Sequence, residues 1–434
     1  MNFFDFLEKK MMPPMSKIGR QRHILAIRDG VVATIPLTVI GGISLIVANP
    51  PFDAKTATGF AKAWVTFATA NKVALSMPFY MTMALMSVFA VIAVAYSLSN
   101  SYKMNPLNGA VLGLMTFLTM SAQAIVDPKL GRLLPTKYLD GQGIFTAIIA
   151  GILAVEVARF LKARNITIKM PDGVPPAIAA SFDSLVPAVV LMIITYPLTL
   201  LIQSSAGVPF PQFIMNLFKP LISAVDSPFG VVFVAILAQL LWSVGIHGSS
   251  VVGSIANPFK EANLAANAAA QAAGQPMETI FTTPFWSFFM VIGGSGATLA
   301  LVFWFLKSRS AHLKSIGKVA LLPALFNINE PVIFGTPMIF NPLLFIPFVL
   351  AQPVVALIAY YATKFGLIGR TFATVPWTTP APLGAMIAAA DWRAGVLVLV
   401  LAVVAGLIYW PFMAVYEKQL LKQEAEAAAA AADD

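Results

Sequence analysis

Nine stretches of this chain are apolar over about the length that crosses a bilayer: 31–48, 77–96, 107–126, 143–161, 184–203, 229–247, 284–306, 341–363 and 394–415. A spanning helix needs about 20 such residues. Charged residues make up only 11% of the chain, against about 25% in a soluble domain. The chain is therefore read as an all-α polytopic membrane protein. The first apolar run follows a long basic segment and is too long for a signal-peptide core, so no cleavable leader is expected.

Loop charge orients the spans. The N-terminal segment carries Lys9, Lys10, Lys17, Arg20, Arg22 and Arg28 and is placed in the cytoplasm by the positive-inside rule. Four spans later, the loop with Arg159, Lys162, Arg164 and Lys169 is also inside. The next basic loop, Lys307, Arg309, Lys314 and Lys318, has no acidic residue. It falls inside only if 205–226 crosses as a tilted span; the other reading of 205–226 is an interfacial helix. The expectation is about ten transmembrane helices, both termini cytoplasmic, with Lys55, Lys62 and Lys72 left outside as a blemish. Two Pro/Gly-broken apolar stretches, 319–340 and 366–390, read as re-entrant hairpins. The domains expected are 1–204, a connector at 205–226, and 227–415 with both hairpins. Residues 261–275 read as an Ala-rich loop or surface helix, and 416–434 as a frayed cytoplasmic tail without chemistry.

Composition excludes several functions. The chain has no cysteine, so it carries no disulfide, Cys-ligated metal or cysteine chemistry. Its three scattered histidines argue against a His-cluster metal site. No metal or cofactor is expected. The net charge of +9 is spread over several loops, which fits membrane topology and not nucleic-acid binding.

One residue stands apart. Glu330 is the only Asp, Glu, Lys, Arg or His between Val319 and Thr363. A charge at the bilayer centre costs roughly 2.5–3.5 kcal/mol even on mild scales. Prolines 323, 331, 337, 342 and 347 surround it, and irregular backbone at that depth must be buried in protein or line a wet cavity. The stretch reads as a polar hairpin tip, with Asn327 and Asn329 beside the carboxylate. The bland alternative is a structural Glu bonded to backbone freed by Pro331.

His247 lies in Gly245-Ile-His-Gly248, in a region without Asp, Glu, Lys or Arg from Phe229 to Phe259. Gln239, Ser243 and His247 are spaced by four, as on one helix face, and the two glycines are read as leaving space around the imidazole. Trp377 lies in Val375-Pro-Trp-Thr-Thr-Pro380, where an indole face sits beside Thr378 and Thr379. Sugars are held that way, C–H faces on aromatic rings and hydroxyls on carboxylate, amide and imidazole groups. Trp242 is a second candidate platform. Trp64 and Trp410 read as interfacial anchors. Glu156 reads as an ion-pair partner of Arg159, and Arg28 and Asp29 as a pair before the first span.

Phe326-Asn-Ile-Asn-Glu-Pro-Val-Ile-Phe-Gly-Thr-Pro337, with Gly245–Gly248 and Val375–Pro380, resembles the membrane C component (EIIC) of the bacterial phosphotransferase system, in its lactose/cellobiose/diacetylchitobiose branch. Ile24–Gly30 and Met170-Pro-Asp-Gly-Val-Pro-Pro176 are similar too. The Asn-Glu-Pro stretch is the specific part; a lone Gly-Ile-His-Gly is weak. The resemblance implies a homodimer in the bacterial cytoplasmic membrane, joined through its N-terminal spans. It implies a β-linked disaccharide held between the hairpins by Glu330 and His247 and phosphorylated on its 6-hydroxyl at the cytoplasmic side. The donor is a phosphocysteine on an EIIB protein. With no cysteine here, that donor is expected on a separate cytosolic chain.

The polar set agrees with that chemistry. A carboxylate accepts from two sugar hydroxyls, and either Glu330 or His247 is placed to take the proton of the attacking hydroxyl. No phosphate-cradling Gly-rich loop is evident. The competing reading is a proton-coupled secondary sugar transporter in which Glu330 and His247 relay protons. A non-transporting interaction protein is disfavoured by the buried carboxylate. The two transport readings separate on whether the sugar appears inside as its phosphate.

Overall fold

The computed structural model describes residues 20–50, 55–168, 182–336 and 341–433, with Lys17, Phe52 and Met338. Most of the basic N-terminal segment and the Met170–Pro176 stretch lie outside the described residues. The helices are α1 Arg22–Ala33, α2 Ile35–Ala48, α3 Gly59–Ala70, α4 Lys72–Met81, α5 Met86–Ser101, α6 Pro106–Ser121, α7 Ile144–Ala163, α8 Leu185–Ala206 and α9 Phe210–Val225. They continue as α10 Pro228–Ser243, α11 Gly248–Ala273, α12 Leu299–Lys307, α13 Ala311–Leu325, α14 Glu330–Gly335, α15 Pro342–Lys364, α16 Ala381–Ala389 and α17 Trp392–Asp433. One small antiparallel hairpin, β1 Ile125–Asp127 with β2 Gly131–Leu133, follows α6.

Several helices start on the same local signal. Asn105, Ser227 and Asn341 each precede a proline, and each side chain accepts backbone N–H bonds from the first turn of its helix. A polar cap followed by proline at the first helical position satisfies donors that otherwise have no partner.

The chain forms two compact units. One holds Ile18–Ser223 and Ser254–Met277; the other holds Ala224–Gly253 and Glu278 onward. In the first unit α5 packs on α1, α6 and α7. Small residues let these helices approach: Ala26, Ala95 and Val94 meet Val155 in one cluster, and Ala154 and Ala158 meet Leu112 and Leu191 in another. Close approach through small side chains is how helices gain dispersion contact in lipid, where there is no hydrophobic drive between them. Glu156 accepts from Arg159 Nε at 2.9 Å, as read from the sequence, and also from the Tyr102 hydroxyl at 2.6 Å; His23 Nε2 lies 2.9 Å from the same carboxylate. Arg28 and Asp29 pair at 2.7 Å.

Residues 254–277 pack with this first unit. The Ala-rich segment is a helix but not a surface one: Glu261, Asn263 and Asn267 are all buried on α11. The low charge of the segment hid that it faces protein. The 205–226 region holds α9, whose Phe210 and Ile214 are buried and whose Phe218 ring stacks on Phe145 at 4.5 Å.

Six helical segments are long and apolar enough to cross a membrane by length and composition, or seven if α9 and α10 form one bent span. This count does not confirm the expected number of ten, and two of the expected spans are not single long helices among the described residues. The 107–126 stretch ends its helix at Ser121 and turns into the β-hairpin. The 284–306 stretch is not one helix: a turn at Thr283–Phe285 passes into a π-helical turn, Trp286–Met290, then an irregular loop before α12. In that loop Gly293, Gly294, Gly296 and Ala297 all have positive φ, which no α-helix accommodates.

The second unit is built on α15, packed against α10 and α17. Two broken segments double back within it. The first is α13, a break at 326–329, and α14. The second runs through non-helical backbone from Gly366 to Pro380 and returns as α16; Phe372 N–H reaches the Ala388 carbonyl at 2.9 Å.

Candidate functional site

The tip of the first hairpin is held by its asparagines. Asn327 adopts φ 63, a left-handed conformation Asn tolerates better than most residues. Its Oδ1 accepts from Gly293 N–H at 3.1 Å, and its Nδ2 donates to the carbonyls of Trp377 and Thr379 at 2.8 and 2.9 Å. Asn329 Nδ2 donates to the Ser295 carbonyl at 2.6 Å and to Thr298 Oγ1 at 2.8 Å. Both residues are buried. Their amide N–H groups are thus engaged by protein, tying the hairpin tip to the 291–298 loop and to the second hairpin. Gly294, at φ 108, makes this possible: a Cβ there would lie 2.2 Å from Asn329 Cγ.

Glu330 follows as the first residue of α14, with Asn329 at the cap position. Its side chain is exposed. Its carboxylate has no hydrogen-bond or ion-pair partner among the described residues. The bland reading, a Glu bonded to backbone freed by Pro331, is not what the geometry displays.

His247 is reached differently from the sequence expectation. Helix α10 ends at Ser243, and Gly245 at φ 80 turns the chain while Ile246 N–H caps the Leu241 carbonyl at 2.9 Å. A left-handed glycine with that six-to-one bond is a helix stop. The four-residue stripe therefore does not extend to His247. Gln239 is fully buried and bonded to Gln352, and the Ser243 hydroxyl donates to the Gln239 carbonyl. Nor does Gly248 leave room for the imidazole; it lets two backbones meet, because a Cβ there would sit 1.8 Å from the Ala238 carbonyl oxygen.

The imidazole itself is oriented. Nδ1 lies 3.1 Å from Ser250 N–H and 2.9 Å from Ser250 Oγ. A backbone N–H only donates, so Nδ1 is the acceptor and the neutral ring carries its proton on Nε2. The Trp242 ring packs on it at 4.4 Å between centroids.

These elements line an open-sided cavity of about 460 Å³, with Glu330, His247, Asn327, Asn329, Trp242 and Trp377 among its walls. Six of the seven residues proposed from sequence thus share one site; Thr378 is not among the lining residues. The sequence reading missed Trp286, Ser249, Ser287 and Ser295, which also line it. Trp286 begins the π-helical turn, a feature enriched at functional sites. The signal available was Thr282-Thr-Pro-Phe-Trp286, a Pro-interrupted aromatic stretch like that around Trp377. Ser249 and Ser295 bond to each other at 3.1 Å. Three indoles, a carboxylate without a partner among the described residues and an oriented imidazole around a volume in the range of small-molecule sites suit a ligand with apolar faces and hydroxyl edges.

Comparison with known proteins bears on the whole chain. Residues 28–351 match the family model "Phosphotransferase system, EIIC". The chain is 33% identical to the lichenan permease IIC component of Bacillus subtilis, over 97% of this chain and 95% of that one. It is 34% identical to the cellobiose-specific EIIC component of Geobacillus stearothermophilus, over 97% and 96%. The crystal structure of ChbC, the IIC component of the N,N'-diacetylchitobiose-specific system, superposes with a TM-score of 0.87 at 35% identity, covering 96% of this chain and 99% of that one. The long apolar helices, the broken hairpins and these matches lead to one conclusion: the chain belongs to the EIIC family, the membrane-embedded transport component of the phosphotransferase system.

Proposed function

We propose that this cavity binds one β-linked disaccharide of the cellobiose or diacetylchitobiose type, which the protein carries across the cytoplasmic membrane for phosphorylation on its 6-hydroxyl. The observation that carries the reading is Glu330: a carboxylate on a hairpin tip, without a protein partner among the described residues, lining a cavity with Trp242, Trp286 and Trp377. The names of the relatives, lichenan, cellobiose and N,N'-diacetylchitobiose, support the sugar class.

The polar groups divide the work. With Nδ1 bonded to Ser250, His247 presents Nε2–H as a donor to a sugar oxygen. A ring already protonated at Nε2 does not take the hydroxyl proton there. Glu330 therefore acts as the acceptor and base, since an ionised carboxylate only accepts. Asn327 and Asn329 hold the tip, and the indoles supply flat faces to the sugar rings. The phosphoryl group comes from a phosphocysteine on an EIIB protein, as the family membership suggests; the 434 residues contain no cysteine that could carry it. The protein works as a homodimer in lipid, with the N-terminal helices at the interface and both termini in the cytoplasm.

The test is reconstitution. In proteoliposomes with phosphorylated EIIB, radiolabelled cellobiose should accumulate only as its phosphate. Uphill uptake of unmodified sugar on a proton gradient alone would instead make the protein a secondary transporter.

A further inference from the structure

The terminal helix does more than trail into the cytoplasm. α17 continues to Asp433, and two of its acidic residues reach back to the loop before α13. Glu417 Oε1 accepts from the Ser308 hydroxyl and, at 2.7 Å, from Arg309 N–H. Glu424 accepts from Ser310 Oγ at 2.7 Å, His312 N–H at 3.1 Å and Ala311 N–H at 3.3 Å. Seven residues apart, the two glutamates lie on one face of α17, two turns from each other. Ser310 Oγ in turn accepts from Leu313 N–H at 3.3 Å. The donors that the start of a helix leaves without intrahelical partners are thus satisfied, and a negative charge sits where the helix dipole favours one.

The capped helix is the one that leads to Glu330. α13 runs from this clamp to the tip, and α14 returns from Glu330 to Gly335. His312, in the first turn of α13, places Nε2 3.1 Å from the Gly335 carbonyl. A carbonyl only accepts, so Nε2–H donates. The hairpin is therefore held at both ends: by Asn327 and Asn329 at the tip, and by Glu417, Glu424 and His312 at the base. Between clamp and carboxylate lie only α13, with Pro323 in its last turn, and the four residues of the break, of which Asn327 and Asn329 are themselves bonded to neighbouring segments.

We infer that Glu417 and Glu424 are positioning residues for Glu330, acting through α13 from outside the sugar cavity. The inference rests on Glu330 being the sugar-gripping group, but its test reads the hairpin and not the sugar. Because the native chain has no cysteine, a single Ile328→Cys reports the tip, which lines the cavity. Ser287→Cys reports the same cavity from the π-helical turn, off the hairpin. Thiol-labelling rates are measured on the full-length protein in nanodiscs, with Glu424→Ala, Glu417→Ala, His312→Ala or no further change. When opening is fast relative to labelling, the rate follows the open population. Loss of charge-assisted bonds predicts a rise of roughly tenfold at Ile328→Cys in Glu424→Ala. Ser287→Cys should change less than twofold, and Glu424→Gln, which keeps an acceptor oxygen, should fall between. If Glu424→Ala does not yield monodisperse protein, Glu424→Gln and His312→Ala carry the same comparison. An unchanged rate at Ile328→Cys overturns the inference. So does an equal rise at both thiols, which would mean general loosening. A normal labelling response with no sugar binding in any variant would instead count against the proposed function and leave the clamp standing.

Discussion

Asn327 donates both Nδ2 hydrogens to the second hairpin, to the Trp377 carbonyl at 2.8 Å and the Thr379 carbonyl at 2.9 Å. One side chain thereby links the hairpin bearing Glu330 to the hairpin bearing the Trp377 indole. Asn327→Asp tests this better than alanine alone. Aspartate keeps the acceptor for Gly293 N–H but turns a carboxylate oxygen toward two carbonyls. Both variants should lose roughly tenfold or more in sugar affinity, with Asp no better than Ala despite its matching shape. Equilibrium binding of radiolabelled cellobiose to monodisperse protein is the measurement.

Trp286 should matter as much as the tryptophans whose setting drew notice in the sequence. Removing one aromatic face from a sugar typically loses about 0.5–1.5 kcal/mol, or roughly two- to tenfold in affinity. Trp286→Ala should show that loss and Trp286→Phe should recover most of it. Thr378→Val, outside the lining residues, should bind as wild type in the same assay.

Gly248 should not tolerate a methyl group. The atom that a Cβ would meet at 1.8 Å is a backbone oxygen, Ala238 O, and backbone does not rotate away as a side chain does. Gly248→Ala should displace the start of α11, and His247 with it. The expected result is a thermal-inactivation midpoint lowered by several degrees together with weakened cellobiose binding. Ser249→Ala, one residue on, removes only the bond to Ser295 and should lower the midpoint much less.

The parts of the site that could be read in advance share a physical cause. Glu330 is legible because a lone charge among prolines is costly in lipid and therefore needs a reason. Trp377 is legible because its neighbours break helices. The 284–306 loop was hidden because hydropathy counts composition, whereas Gly293, Gly294 and Gly296 act through positive φ. The π-helical turn at Trp286 has no simple residue signature. The bonds that Asn327 and Asn329 make within the protein are hidden for a related reason. Their amides look available for a sugar until the partners, 31 to 52 residues away in sequence, are in place. Glu417 and Glu424 lie farther off still, more than 100 residues from the helix start they cap. From sequence, that charged segment looks like a solvated tail.

If the Glu330 carboxylate grips the sugar as proposed, its charge should dominate the affinity. Glu330→Gln retains the shape and one acceptor oxygen but removes the charge. Hydrogen bonds to charged groups contribute roughly 1.5–3 kcal/mol, or about one to two decades in dissociation constant. The most direct measurement is equilibrium binding of radiolabelled cellobiose to Glu330→Gln protein that elutes like wild type from a sizing column. The expected result is a dissociation constant raised roughly ten- to a hundredfold, and a non-additive combination with His247→Ala, as for two groups on one ligand. An unchanged dissociation constant would contradict the gripping role and remove Glu330 from the binding site.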